Sequence, residues 1–214
     1  MLNSKKRLSS ICAEDLRSTI SGRVAMPGQE LYDAGSRVWN DGVRRRPAIV
    51  VFCKRPEDVQ DAVRAAQRHG LPLSVRAGGH DWAGRALCDD GLVIDLTGMR
   101  DVTVDPQSRV ATVAGGAQLK DVAAAVSAHG LVAALGNCGT VGMTGLTLGG
   151  GYGPLNGTCG LSSDNLLGAE VVLADGRLVT TGPDIMPTGT PSSSGAVAAN
   201  AAYRRRTAPA SYQW

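Results

Sequence analysis

The stretch Ser74-Val75-Arg76-Ala77-Gly78-Gly79-His80-Asp81 carries a β-branched, strand-like lead into two glycines and then presents a histidine. Adjacent glycines let successive backbone N–H groups turn toward one point. That concavity suits a diphosphate-bearing anion, and the next side chain is held against whatever binds. Farther along, Gly136 to Gly153 holds eight glycines together with Cys138 and Thr140. Each glycine costs about 0.5–1 kcal/mol against alanine in regular structure, so a bound ligand is expected to offset the loop's entropy. Neither G-x-G-x-x-G nor G-x-x-x-x-G-K-[ST] occurs, so neither a Rossmann dinucleotide turn nor a P-loop explains these glycines.

The elements that must hold these loops follow from periodicity. Ala48 to Phe52 reads as a buried strand, and Val59, Ala62, Val63 and Ala66 give a helix over Pro56–His69, with Pro56 in its first turn and Gly70 past its end. Strands at 71–75 and 92–96 complete a β-α-β unit with a third strand. Val102–Val104 and Val110–Val113 flank Asp105-Pro106-Gln107-Ser108 as an antiparallel hairpin. A second helix carries Leu119, Val122, Ala123 and Val126 on one face and closes at Gly130. Strands are then expected at 131–135 and 170–173, the latter turning at Asp175-Gly176 into 177–180. The fold class is α+β, with two small sheets in succession.

Composition narrows the function. At 214 residues the chain can bury about 70% of its unfolded surface and needs no staples. The net charge is +3 and no basic run is interleaved with aromatics, so no nucleic-acid partner is expected. Five cysteines without C-x-x-C spacing argue against a disulfide framework and a zinc site, and for a reduced, cytoplasmic compartment. Cys53, Cys88 and Cys159 read as packing, and His69 and His129 as helix-end residues. Lys5, Lys6 and Arg7 lead no apolar core of a signal peptide, and no run reaches membrane length.

Four motifs in register carry a resemblance: Val75-Arg76-Ala77-Gly78-Gly79-His80-Asp81, Cys138-Gly139-Thr140-Val141-Gly142, Leu148-Gly149-Gly150-Gly151-Tyr152-Gly153 and Gly160-Leu161-Ser162-Ser163-Asp164-Asn165. In that order they resemble the flavin domain of the vanillyl-alcohol-oxidase superfamily, which has a PCMH-type FAD-binding domain of two small α/β subdomains. The berberine-bridge-enzyme-like FAD-linked oxidases resemble them most. The resemblance spans about 32–181, with 1–31 as an N-terminal segment. It implies FAD as cofactor, covalently attached at His80, with a second bond at Cys138 as in some members. It also implies a cofactor cradle drawn from Arg76, Ala77, Gly78, Gly79, His80, Asp81, Cys138, Thr140, Val141, Gly142, Thr144, Gly145, Gly150, Tyr152, Asn165 and Val171. A neutral imidazole and a thiolate are both nucleophiles toward an electron-poor ring, so the chemistry asked of His80 and Cys138 is sound.

The resemblance further implies an oxidase of alcohol, sugar or specialised-metabolite substrates whose substrate domain and catalytic base lie outside this chain. Residues 182–214 show neither periodicity and are expected to be disordered. Where the family continues with an acidic residue and Leu-Phe-Trp, this chain has Thr190-Pro191-Ser192-Ser193-Ser194. Those residues are compatible with a frameshift that reads Asp-Thr-Glu-Leu-Phe-Trp in the other frame. Sequencing the coding DNA tests this, and a shifted frame without Leu-Phe-Trp would refute it. The alternatives to a reduced-activity flavin domain are a non-catalytic flavin module completed by a partner chain, and a gene remnant.

Overall fold

The computed structural model describes residues 2–182 and 196–204. The chain begins with helix α1 (Leu2–Thr19), a short strand β1 (Arg23–Ala25) and a one-turn helix α2 (Tyr32–Ser36). Strand β2 (Ile49–Phe52), helix α3 (Pro56–Arg68), strand β3 (Leu73–Arg76) and strand β4 (Leu92–Asp95) form the expected β-α-β unit. Their sheet runs β1-β2-β4-β3, with β4 parallel to both β2 and β3 and β1 antiparallel at the edge. Ile49, Val51, Leu92 and Ile94 on one face and Val50 and Val93 on the other are fully buried. Burial on both faces explains why these strands read as continuous apolar runs rather than alternating ones.

One face of this sheet is covered by α3, whose Val59, Ala62, Val63 and Ala66 enter the core as their spacing requires. Cys12, Ala13 and Leu16 of α1 join the same cluster, and His69, just past α3, bonds Asp15 of α1 at 3.0 Å. Asp58 is fully buried and accepts the N–H groups of Ser21 and Lys54, each at 2.8 Å. A carboxylate in the first turn of α3 thereby satisfies one backbone donor just before β1 and one just after β2. Gly70 sits at φ +61, the left-handed conformation that ends a helix.

The second sheet has five strands in the order β5-β6-β9-β7-β8. The expected hairpin is β5 (Val102–Asp105) and β6 (Val110–Ala114), and α4 (Leu119–Ser127) packs Leu119, Val122 and Val126 beneath it. Gln118 and Asp121 form a reciprocal capping box at the start of α4. β7 (Leu166–Leu173) and β8 (Leu178–Thr181) form the second hairpin, turning at Gly176 with φ +80. The β9 strand spans Ala196–Arg204 and fills the gap between β6 and β7, antiparallel to both.

Three sequence expectations are corrected. Ala196–Arg204 is a strand, not disordered, because β6 and β7 each offer a free edge that even a small-residue segment can pair with. The rest of the tail lies outside the described residues. Residues 131–135 make no ladder; Leu131, Ala133 and Leu135 are apolar because they pack on the α4 cluster. The glycine-rich run is not all loop: it contains α5 (Met143–Leu148), followed by α6 (Asn156–Cys159) and a 3-10 turn at Ser163–Asn165. Cys53 and Cys159 are buried and Cys88 half-buried, as expected of packing residues, and all five cysteines are free thiols.

Candidate functional site

At the carboxyl end of β3 the chain leaves the first sheet through Arg76 and turns at Gly79, whose φ is +69. Opposite it, Cys138–Gly142 runs into α5 of the second subdomain. The two loops pack backbone to backbone: a methyl group added at Gly78 would collide with the Gly142 amide and stand 2.6 Å from the Thr140 carbonyl. One added at Gly142 would stand 2.8 Å from the Ala77 Cβ. Glycine is therefore required at both positions by close approach.

Between the loops lies a cavity of about 280 Å³ lined by Val75, Ala77, Gly78, Gly79, His80, Asp81, Ala86, Val141, Gly142, Gly145 and Leu146. Among the described residues, the backbone N–H groups of Gly78, Gly79, His80 and Asp81 have no protein acceptor. Four consecutive donors without partners beside a cavity are the arrangement that an anion-binding nest requires. Gly145 faces open space, with nothing within 4 Å of the position a Cβ would take.

His80 is half-buried, and its ring stacks on Trp39 with centroids 5.6 Å apart and planes inclined by 19°. Its Nε2 bonds the Thr140 hydroxyl at 2.8 Å. Burial disfavours the imidazolium and lowers the His80 pKa, so the ring is held neutral and nucleophilic near pH 7. The Cys138 thiol lies 3.4 Å from the same hydroxyl. That hydrogen bond, followed by backbone donors, lowers its pKa and favours the thiolate.

The structure thus brings together Ala77, Gly78, Gly79, His80, Asp81, Val141, Gly142 and Gly145 around the cavity, with Thr140 and Cys138 joined to them through His80. The remaining candidates do not line this cavity. The Arg76 side chain turns away to Asp95 at 2.5 Å and to the Arg37 carbonyl. Asp81, which does line it, has its carboxylate engaged by Arg85. Thr144 is buried and donates to the Gly115 carbonyl. Asn165 donates to the Cys159 and Leu161 carbonyls and lines a separate, mainly apolar cavity beneath α4. Gly150 turns with φ +95, Tyr152 is exposed, and Val171 lies within β7. Sequence reading missed Ala86, Leu146 and Trp39. Leu146 was findable, being one helical turn after Gly142, but Trp39 meets His80 only through the tertiary fold.

This chain belongs to the FAD binding domain family, whose model matches residues 47–182. It is similar to (R)-6-hydroxynicotine oxidase of Paenarthrobacter nicotinovorans, 37% identical over 169 residues that cover 79% of this chain and 37% of that protein. An FAD-linked oxidoreductase of Aspergillus terreus is 38% identical over 175 residues, 80% of this chain and 35% of its relative. Among solved structures, 6-hydroxy-D-nicotine oxidase of Arthrobacter nicotinovorans superposes with a TM-score of 0.81 at 33% identity, covering 87% of this chain and 42% of that one. Glucooligosaccharide oxidase of Acremonium strictum, described with a 6-S-cysteinyl, 8α-N1-histidyl FAD, gives 0.82 at 28%, covering 94% and 43%. The chain therefore spans about two fifths of the length of these relatives. Among the described residues no group of histidine, cysteine and carboxylate side chains could hold a metal, and no helix is long and apolar enough to cross a membrane.

Proposed function

We propose that this chain holds FAD in the cleft between its two subdomains, as the flavin-binding part of an FAD-dependent oxidoreductase of small alcohols, sugars or specialised metabolites. The observation that carries this reading is the row of four unpartnered N–H groups from Gly78 to Asp81 beside the cavity. The residues present fit the cofactor. The nest suits a diphosphate, the open face of Gly145 leaves room for a ligand, and a neutral imidazole and an activated thiol stand at the rim. Arg76 acts on the nest indirectly, by fixing the end of β3 to Asp95. His80 is the proposed attachment point, held by Trp39 and Thr140, and Cys138 is the second.

When bound, flavin supplies hydride and electron transfer, while the protein supplies position and electrostatics. A second reading, a flavin module completed by another polypeptide, is favoured by the exposed aromatic and apolar residues Trp39, Trp82, Leu148 and Tyr152. Titrating the purified protein with FAD and following quenching of flavin fluorescence tests the main reading. Saturable binding that Gly78→Ala abolishes supports it, and a folded protein that leaves free FAD fluorescence unchanged refutes it.

A further inference from the structure

Thr140 has one hydroxyl hydrogen, and two groups compete for it. The hydroxyl oxygen lies 2.8 Å from His80 Nε2 and 3.4 Å from the Cys138 sulfur. When Nε2 carries its proton, it donates to the Thr140 oxygen, and the Thr140 hydrogen is free to turn toward Cys138. The lone pair of the ring then sits on Nδ1, and the sulfur receives a hydrogen bond that its thiolate accepts best. When Nε2 is unprotonated, it takes the Thr140 hydrogen instead. Nδ1 then carries the proton, and Cys138 keeps its own as a donor to Thr140. The first arrangement makes both groups nucleophilic and the second makes neither so.

We propose that the Thr140 hydroxyl is a positioning group that couples the tautomer of His80 to the ionisation of Cys138, so that the Nδ1 lone pair and the thiolate are presented together. Trp39 stacked on the imidazole holds the ring plane and leaves its edge as the variable. Among charged neighbours in the chain, Asp81 is engaged by Arg85, and Lys120 meets this loop through its backbone N–H on the Gly139 carbonyl. The coupling therefore runs through the hydroxyl rather than through an ion pair.

The consequence for attachment rests on the proposed flavin reading. Bond formation at Nδ1 joins that nitrogen to the flavin 8α carbon and breaks one C–H bond there. The hydrogen of that carbon and the Nε2 proton leave with two electrons, and dioxygen as oxidant carries them away as hydrogen peroxide.

The test begins without flavin, so that it is independent of the FAD reading. In the apo protein, ¹⁵N NMR of the histidines is expected to show His80 in the Nε2–H tautomer, and Thr140→Val to shift it toward a mixture. The pH profile of Cys138 alkylation by iodoacetamide is expected to move to higher pH in Thr140→Val, and Thr140→Ser to restore both properties. With FAD added, the rate at which flavin becomes resistant to acid release is expected to fall about tenfold in Thr140→Val, the factor carried by one hydrogen bond to a charged group. An Nδ1–H tautomer in the unmutated protein would overturn the coupling, and that measurement stands even where the valine variant fails to fold. So would an alkylation profile indifferent to Thr140. Absence of FAD binding with the expected tautomer intact would instead count against the cofactor reading alone.

Discussion

The Arg76 guanidinium meets the wholly buried carboxylate of Asp95 at 2.5 Å, joining the last residue of β3 to the last residue of its neighbour β4. Asp95 also accepts from the Thr97 backbone N–H at 2.8 Å and from the Thr97 hydroxyl. The glycine turn that begins one residue later is thus launched from a fixed point. Removing Arg76 leaves a buried charge with no cation, and such losses run to about 3–5 kcal/mol. Arg76→Ala is expected to lower the unfolding free energy by that amount, read as a lower urea midpoint at unchanged slope, and to weaken FAD binding. Arg76→Ala combined with Asp95→Asn is expected to recover part of the stability.

Gly145 separates binding from folding. It lies in α5 with open space where a side chain would project, and glycine within a helix costs about 1 kcal/mol relative to alanine. Gly145→Leu is therefore expected to melt at or above the temperature of the unmutated protein while losing FAD affinity, because its side chain enters the cleft. Parallel thermal melts and fluorescence titrations check this.

His80 gives the site a pH dependence of known sign. Burial lowers its pKa in the folded protein, so the unfolded chain binds the proton more readily. The contribution to stability is complete above the unfolded value near 6.5 and declines as pH falls through it toward the folded value. NMR titration is expected to place the His80 midpoint below that of an unstructured histidine. Flavin attachment, which needs the neutral ring, is expected to slow on the acid side of that midpoint.

Tyr203 of β9 is buried, and its hydroxyl meets that of Thr147 in α5 at 3.0 Å. Burial raises its pKa. Tyr203→Ala is expected to cost about 3 kcal/mol by analogy with other large aromatic truncations, and Tyr203→Phe about 1 kcal/mol. Removing residues 183–214 is expected to leave β6 and β7 with open edges and to cause association visible by size-exclusion chromatography.

Much of the framework was legible because its signals are local. Pro56 and Gly70 bracket α3, and Val59, Ala62, Val63 and Ala66 repeat on one face, so helix and boundaries were both readable. Asp175-Gly176 located a hairpin to within a residue or two. The paired glycines at 78 and 79 located the turn that follows β3. What failed depended on partners far along the chain. β1 has three residues and exists because β2 needs an edge. Leu131, Ala133 and Leu135 are apolar for packing without pairing. β9, rich in alanine, carries no strand signal of its own and pairs because two strands wait for it. In the site, His80 reaches Thr140 only where the two subdomains meet, and Trp39 reaches His80 only through the folding of the first subdomain.

The most direct measurement is the intact mass of the protein after incubation with FAD in air and denaturation in acid. The expected result is a species heavier by one covalently held FAD, lost in His80→Ala while fluorescence still reports FAD bound to the folded variant. A folded protein whose denatured mass never changes, or whose His80→Ala variant keeps the full adduct, would contradict the assignment of His80 as the residue that holds the flavin.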